Sequence, residues 1–170
     1  AAIPARFLDR LQAAIRAAGD GSGLRYVGYD QMPTHLAQDH DALSGWIAQQ
    51  ERDGHQLLLI GHDGSDDNWN HSITENADRV FIVCDSSLAR SGPVALSDLE
   101  KRIQHKSLST NIDKVIWRER HAQPIEDSAN WLTGRQLQLH HHVALDSAGD
   151  FARLLRFIRG KALGLVLCSG

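Results

Sequence analysis

The sequence predicts an α/β fold, a mainly parallel sheet with helices on both faces. Two observations carry this. Short aliphatic and β-branched runs alternate along the chain with segments whose apolar residues recur every three or four positions. In addition, the run at Gln56–Ile60 is continuously apolar rather than alternating, the mark of a strand covered on both faces, and Arg79–Cys84 reads the same way.

Each element follows from local pattern. Pro4–Ala18 places Phe7, Leu8, Leu11 and Ile15 on one stripe; Pro4 suits a first helical turn and Gly19 ends the run. The polar loop Gly19–Gly23 leads to a strand at Leu24–Tyr29. Met32–Arg52 reads as mostly helical, with Leu43, Trp46 and Ile47 as its apolar stripe and Gly54 as its stop. After the strand Gln56–Ile60, the loop His62–Asn68 precedes a helix near Trp69–Ala77, which Asp66 or Asp67 is placed to cap. The strand Arg79–Cys84 is followed by a Ser-Gly-Pro turn (91–93) and a helix at Asp98–Lys106. Lys114–Arg118 reads as a strand, Ile125–Thr133 as a helix and Gln136–His142 as a strand with some alternation. Asp150–Arg159 is an amphipathic helix carrying Phe151, Leu154, Leu155 and Ile158, and Ala162–Cys168 is a last apolar strand.

Composition bounds the function. The 170 residues are one domain's worth of chain and enough to bury a core. With 18 Lys and Arg against 21 Asp and Glu, the net charge of −3 argues against a nucleic-acid partner. An apolar share of 42% argues against a disordered chain. The longest apolar runs, at 57–60 and 80–83, are too short for a membrane-spanning helix. Two cysteines make no disulfide framework and, with the near-neutral charge, fit a cytoplasm-facing module. A doubly wound sheet ordinarily begins with its central strand, whereas this chain begins with a helix, so either that strand is expected upstream of Ala1 or the fold is an unusual one. In the first case the sheet would have a gap, and Leu163–Cys168 is expected to pair with it or with a second molecule through an exposed edge.

Most motifs with chemical meaning are missing. A phosphate loop of the form Gly-x-x-x-x-Gly-Lys-Ser/Thr is absent, and the glycine-rich Gly19–Gly23 follows a helix and carries Asp20, so it reads as a flexible connector. The acidic loop His62–Asn68 lacks the spacing of a calcium loop. His140-His141-His142 is the sharpest local feature among ten histidines. On a strand His140 and His142 share a face, which makes them weak candidate metal ligands, but zinc needs further ligands brought in by the fold. The alternative is imidazole packed against a helix or another domain. No Gly-x-Ser-x-Gly elbow is present; Asp85-Ser86-Ser87 reads as a polar loop at the sheet's C-terminal edge, and Cys84 as an inert core thiol. No cofactor is expected.

The C-terminal segment carries a resemblance. Asp150-Phe151-Ala152-Arg153-Leu154-Leu155-Arg156 followed by Gly164-Leu165-Val166-Leu167 resembles the lead-in to the patatin domain of neuropathy target esterase-type proteins. Leu43–Glu51, Trp69 with Ala77–Val83, Asn130-Trp131-Leu132 and the His140–His142 stretch are similar to upstream parts of the same family, so the resemblance spans Leu43–Gly170. It implies a Rossmann-like three-layer domain over 1–161 and, from 162 to 170, the start of a patatin-like phospholipase domain. It places Ser169 and Gly170 at the opening of an oxyanion loop, with Cys168 and Ser169 where the family has glycines. The catalytic Ser-Asp dyad would lie beyond Gly170, and no metal is implied. The implied partners are the patatin domain and cyclic-nucleotide-binding-like domains of the same parent chain, itself a serine esterase acting on phospholipids and lysophospholipids. The Ala77-Asp78-x-strand pattern also looks like that of partition-type deviant-Walker ATPases, which leaves a degenerate nucleotide-binding module as the alternative.

Overall fold

A computed structural model describes residues 3–19, 23–33, 35–36, 39–61, 68–106 and 111–162. Among the described residues six α-helices and five strands alternate: α1 (Ala5–Ala17), β1 (Leu24–Gly28), α2 (His40–Arg52), β2 (Gln56–Ile60), α3 (Asn68–Asn76), β3 (Arg79–Asp85), α4 (Asp98–Lys106), β4 (Asn111–Arg118), α5 (Ser128–Leu132), β5 (Leu139–Ala144) and α6 (Ala148–Ile158). All pairings among the described residues are parallel, and the α/β class expected from the sequence is what the chain forms. The strands fall into two ladders, β1-β2 and β3-β4-β5.

Several boundaries differ from the sequence pattern, each for a local reason. The helix expected from Met32 begins at His40, where the Asp39 carboxylate accepts the Ala42 amide (3.0 Å). Met32, the residue before Pro33, is extended (φ −91°, ψ 137°), as a residue preceding proline prefers. Gly54, at φ +84°, ends α2 in a conformation that glycine adopts without strain. Strand β4 starts at Asn111 rather than Lys114, and β5 runs to Ala144 because Asp150 Oδ2 accepts the Ala144 amide (3.0 Å) at the strand's end. Ser147 caps α6 by accepting the Asp150 amide (3.2 Å), starting that helix two residues early. The proposed caps Asp66 and Asp67, most of the Gly19–Gly23 loop and the strand Leu163–Cys168 lie outside the described residues.

Two faces are covered differently. On one, α1 and α6 pack together through Phe7 and Phe151 (ring centroids 5.2 Å apart) over Val115 and Trp117 of β4 and Val143 of β5. Leu58 of β2 and Phe81 and Val83 of β3 reach the same cluster. On the other face, α2 and α3 cover β1 and β2 through Leu43, Ile47, Trp69 and Ile73, and Trp131 of α5 with Ala89 covers Cys84 and Ile116. Trp69 is buried and its indole Nε1 donates to the Ile60 carbonyl (2.9 Å), satisfying its polar edge.

Candidate functional site

Ligands of parallel α/β sheets gather at the C-terminal ends of the strands. Here that edge brings Ser86 after β3, Arg118 at the end of β4 and His142 of β5 around one hollow, with Pro124, Ile125, Glu126 and Ser128 forming its rim. Its free space is about 10 Å³, the room of one water molecule and too little for a substrate. Arg118 is committed mainly to its own turn, with Nε donating to the Arg120 carbonyl (3.2 Å) and Nη2 to the His121 carbonyl (3.4 Å), while Nη1 is buried without a partner.

His40 Nδ1 and Ser72 Oγ meet at 2.8 Å between α2 and α3, and at this hollow Ser128 Oγ lies 3.5 Å from His142 Nε2. Nucleophilic catalysis needs a close serine–base hydrogen bond, a third group orienting the base, and oxyanion donors. The Ser128–His142 contact is at the outer limit of hydrogen bonding, and no carboxylate pairs with His142 among the described residues. Burial, then the nearby His140 and Arg118, hold the His142 imidazole below its ordinary value, which favours the neutral form. The arrangement supports polar packing rather than acyl transfer.

The histidine triplet splits as strand alternation requires. His140 and His142 share a face, rings edge-on with centroids 5.5 Å apart, and among the described residues no group of three or more His, Cys, Asp or Glu is placed to hold a metal. His141 points to the other face, where its Nε2 meets Asp113 Oδ2 (3.2 Å) and its ring packs on Phe157 (4.5 Å). Arg79 brings its guanidinium to the same carboxylate (Nε to Oδ2, 3.3 Å). Ser169 and Gly170 lie outside the described residues. Cys84 is buried against the Val115 carbonyl, and burial pushes its thiol up to about 12, so it is an unreactive core group.

The most developed polar cluster was not singled out from the sequence. Glu100 of α4 accepts from Lys114 of β4 (2.5 Å) and from Arg135 (Nε 2.9 Å, Nη2 3.2 Å), all three side chains buried. Both cations also lie over the Trp131 ring, at 4.7 and 5.6 Å from its centroid. Burial works to raise the Glu100 carboxyl, but the Arg135 and Lys114 hydrogen bonds outweigh it and hold the group at about 2. Arg135 further donates to the Val94 and Ala95 carbonyls (2.9 and 3.1 Å), tying α4, β4, α5 and the 93–95 segment into one unit. The signal available in the sequence was a lysine inside the apolar run of β4.

Comparison with known proteins gives the context these groups lack. The chain is 29% identical over 154 residues to human patatin-like phospholipase domain-containing protein 6, and 25% identical over 154 residues to the mouse protein of that kind numbered 7. It is 26% identical over 156 residues to neuropathy target esterase sws of Drosophila willistoni. This chain resembles a region of neuropathy target esterase-type patatin-like phospholipases. Each match covers 75% of the chain, and the chain spans about a tenth of the length of these patatin-like relatives (10–11%). No family profile and no solved structure matches it.

Proposed function

We propose that this chain is a non-catalytic intervening domain of a patatin-like phospholipase, structural or regulatory in role. The observation that carries the reading is the similarity to a tenth-length stretch of neuropathy target esterase-type relatives. The hollow at the sheet edge adds support, since it is water-sized and its serine–histidine contact lacks an orienting carboxylate among the described residues. In this reading residues 1–161 form the intervening domain and 162–170 open the hydrolase domain, with Ser169 and Gly170 at the start of its oxyanion loop. The chain works on the cytoplasmic side, beside the patatin and cyclic-nucleotide-binding-like domains of a parent that hydrolyses phospholipid or lysophospholipid esters.

The test is an assay of the 170-residue chain on a short-chain nitrophenyl ester and on lysophosphatidylcholine. No turnover above a buffer control is expected, and turnover that depends on Ser128 or His142 overturns the reading. Titration with ATP, GTP and cyclic nucleotides is expected to show no binding tighter than roughly 100 μM, about −5.5 kcal/mol; tighter binding favours a nucleotide-binding module instead.

A further inference from the structure

The end of β4 buries a charge that no carboxylate among the described residues neutralises. Arg118 is only 8% exposed, and its guanidinium stays protonated throughout the physiological range. Its partners are backbone carbonyls: Nε donates to that of Arg120 (3.2 Å) and Nη2 to that of His121 (3.4 Å), while Nη1 is buried without a partner. The carboxylates nearby in sequence or at this edge are engaged elsewhere. Glu119 is paired with Arg6 (2.7 Å), Asp146 accepts the His121 amide (2.7 Å) and Asp85 accepts the Ser87 amide (2.8 Å). Buried charges are ordinarily paired, and an orphaned buried donor calls for an occupant such as a bound water or ion.

The hollow beside Arg118 offers the space. Arg118, His142, Ser86 and Ser128 line it, and its free volume of about 10 Å³ admits one particle the size of a water molecule. A water would satisfy Nη1 but leave the charge uncompensated. Both serine hydroxyls can donate to an occupant, and Ser128 is only loosely engaged with His142 (3.5 Å). The surroundings are cationic. Burial first, and then His140, Arg118, Arg153 and His141, hold the His142 imidazole below its ordinary value. Arg153 is itself paired with Asp150 (3.3 Å). Glu126 stands on the rim, exposed to solvent and without an ion pair to Arg118. The remaining walls, Ile116, Pro124 and Ile125, bring no competing side-chain acceptor.

We propose that this hollow is a binding site for one chloride-sized anion, held by Arg118 Nη1 and the Ser86 and Ser128 hydroxyls. It lies at the C-terminal end of a parallel strand, the edge where such sheets gather ligands. The guanidinium is preset for the task. The Arg120 and His121 carbonyls fix its other two nitrogens, and Asp146 ties down the turn that carries them, so binding needs no rearrangement of the fork. Size selects the ion. A halide is little larger than a water molecule and fits the free space, whereas phosphate, sulfate and organic carboxylates are too large to enter. The site is thereby distinct from a substrate or nucleotide pocket. The anion neutralises Arg118 and joins the segment after β3 to the end of β4 and the start of α5, so it binds the folded chain alone and stabilises it.

Titration of the 170-residue chain with chloride tests this, with gluconate as the bulky balancing anion at constant ionic strength. Expected are a saturable broadening of the chlorine NMR line, a saturable shift of the His142 ring resonances and a Tm that rises with chloride. Bromide is expected to compete with chloride, and phosphate is not. Arg118→Gln is expected to weaken binding at least about tenfold and Ser128→Ala about threefold. Absence of a saturable chloride effect overturns the proposal and assigns the hollow to water. So does an effect that persists unchanged in folded Arg118→Gln, which places the ion elsewhere. Should that variant not fold, an unchanged effect in the paired Ser86→Ala and Ser128→Ala variant overturns it in the same way. Competition by phosphate equal to that by bromide removes the size selection and overturns it as well.

Discussion

Glu100 shows how much one buried carboxylate governs. It balances two buried cations, and removing one member of such a set leaves a charge stranded in apolar surroundings. Glu100→Ala is expected to cost about 3–5 kcal/mol in urea unfolding, with Lys114→Ala and Arg135→Ala also destabilising. The carboxyl is held at about 2 in the folded chain against 4.5 unfolded. Its folded value is the lower one, so its contribution is complete above about pH 4.5 and is lost as pH falls toward 2. The urea midpoint should fall across that window in the native protein and flatten there in Glu100→Gln. His142 has the same sign at higher pH. Its folded value lies below the ordinary 6.5, so stability is lost as pH falls below 6.5 while the unfolded chain takes up the proton. An NMR titration should place the His142 ring midpoint below 6.5, and a midpoint at or above it contradicts the burial described here. None of these roles is visible in local pattern, because Lys114 meets Glu100 and Arg135 only through the fold. The His140–His142 alternation was legible, since it needs nothing but strand geometry.

Elements were more legible than residues. The apolar stripes of α1 and α6 predict their buried faces, and Phe7, Leu11, Phe151, Leu154 and Leu155 are the residues that the helices bury. Helix starts were the weaker part, because capping depends on one side chain's rotamer. Met32–Arg52 kept its apolar stripe yet begins only where Asp39 caps it. Ser147 is the clearest case: its hydroxyl satisfies the Asp150 amide while Asp150 reaches back to the Ala144 amide, joining β5 to α6. Ser147→Ala is expected to cost about 1 kcal/mol. Asp150→Ala should cost more, because it leaves a buried amide unpaired. Equilibrium denaturation of the two variants checks the order.

At the scale of the molecule, the α1–α6 seam is the element most distant in sequence that the fold must close. Phe151→Ala is expected to lose about 3–5 kcal/mol by opening a cavity against Phe7 and Val143. Cys84 offers a reporter of that stability: in a Cys168→Ser background, a thiol reagent should label it only on unfolding, at a rate that Phe151→Ala accelerates. The sequence alone determined the alternation of strands and helices, the parallel class, the absence of a phosphate loop or hydrolase elbow, and the resemblance to neuropathy target esterase-type proteins. All of these reside in neighbouring residues and their periods. Only the tertiary structure decided where the five strands stop pairing, which polar groups share the buried cluster of Glu100, and that the serine–histidine contact surrounds no substrate-sized space. Those facts depend on residues tens of positions apart, and periodicity along a chain carries no information about which edges and side chains the fold brings together.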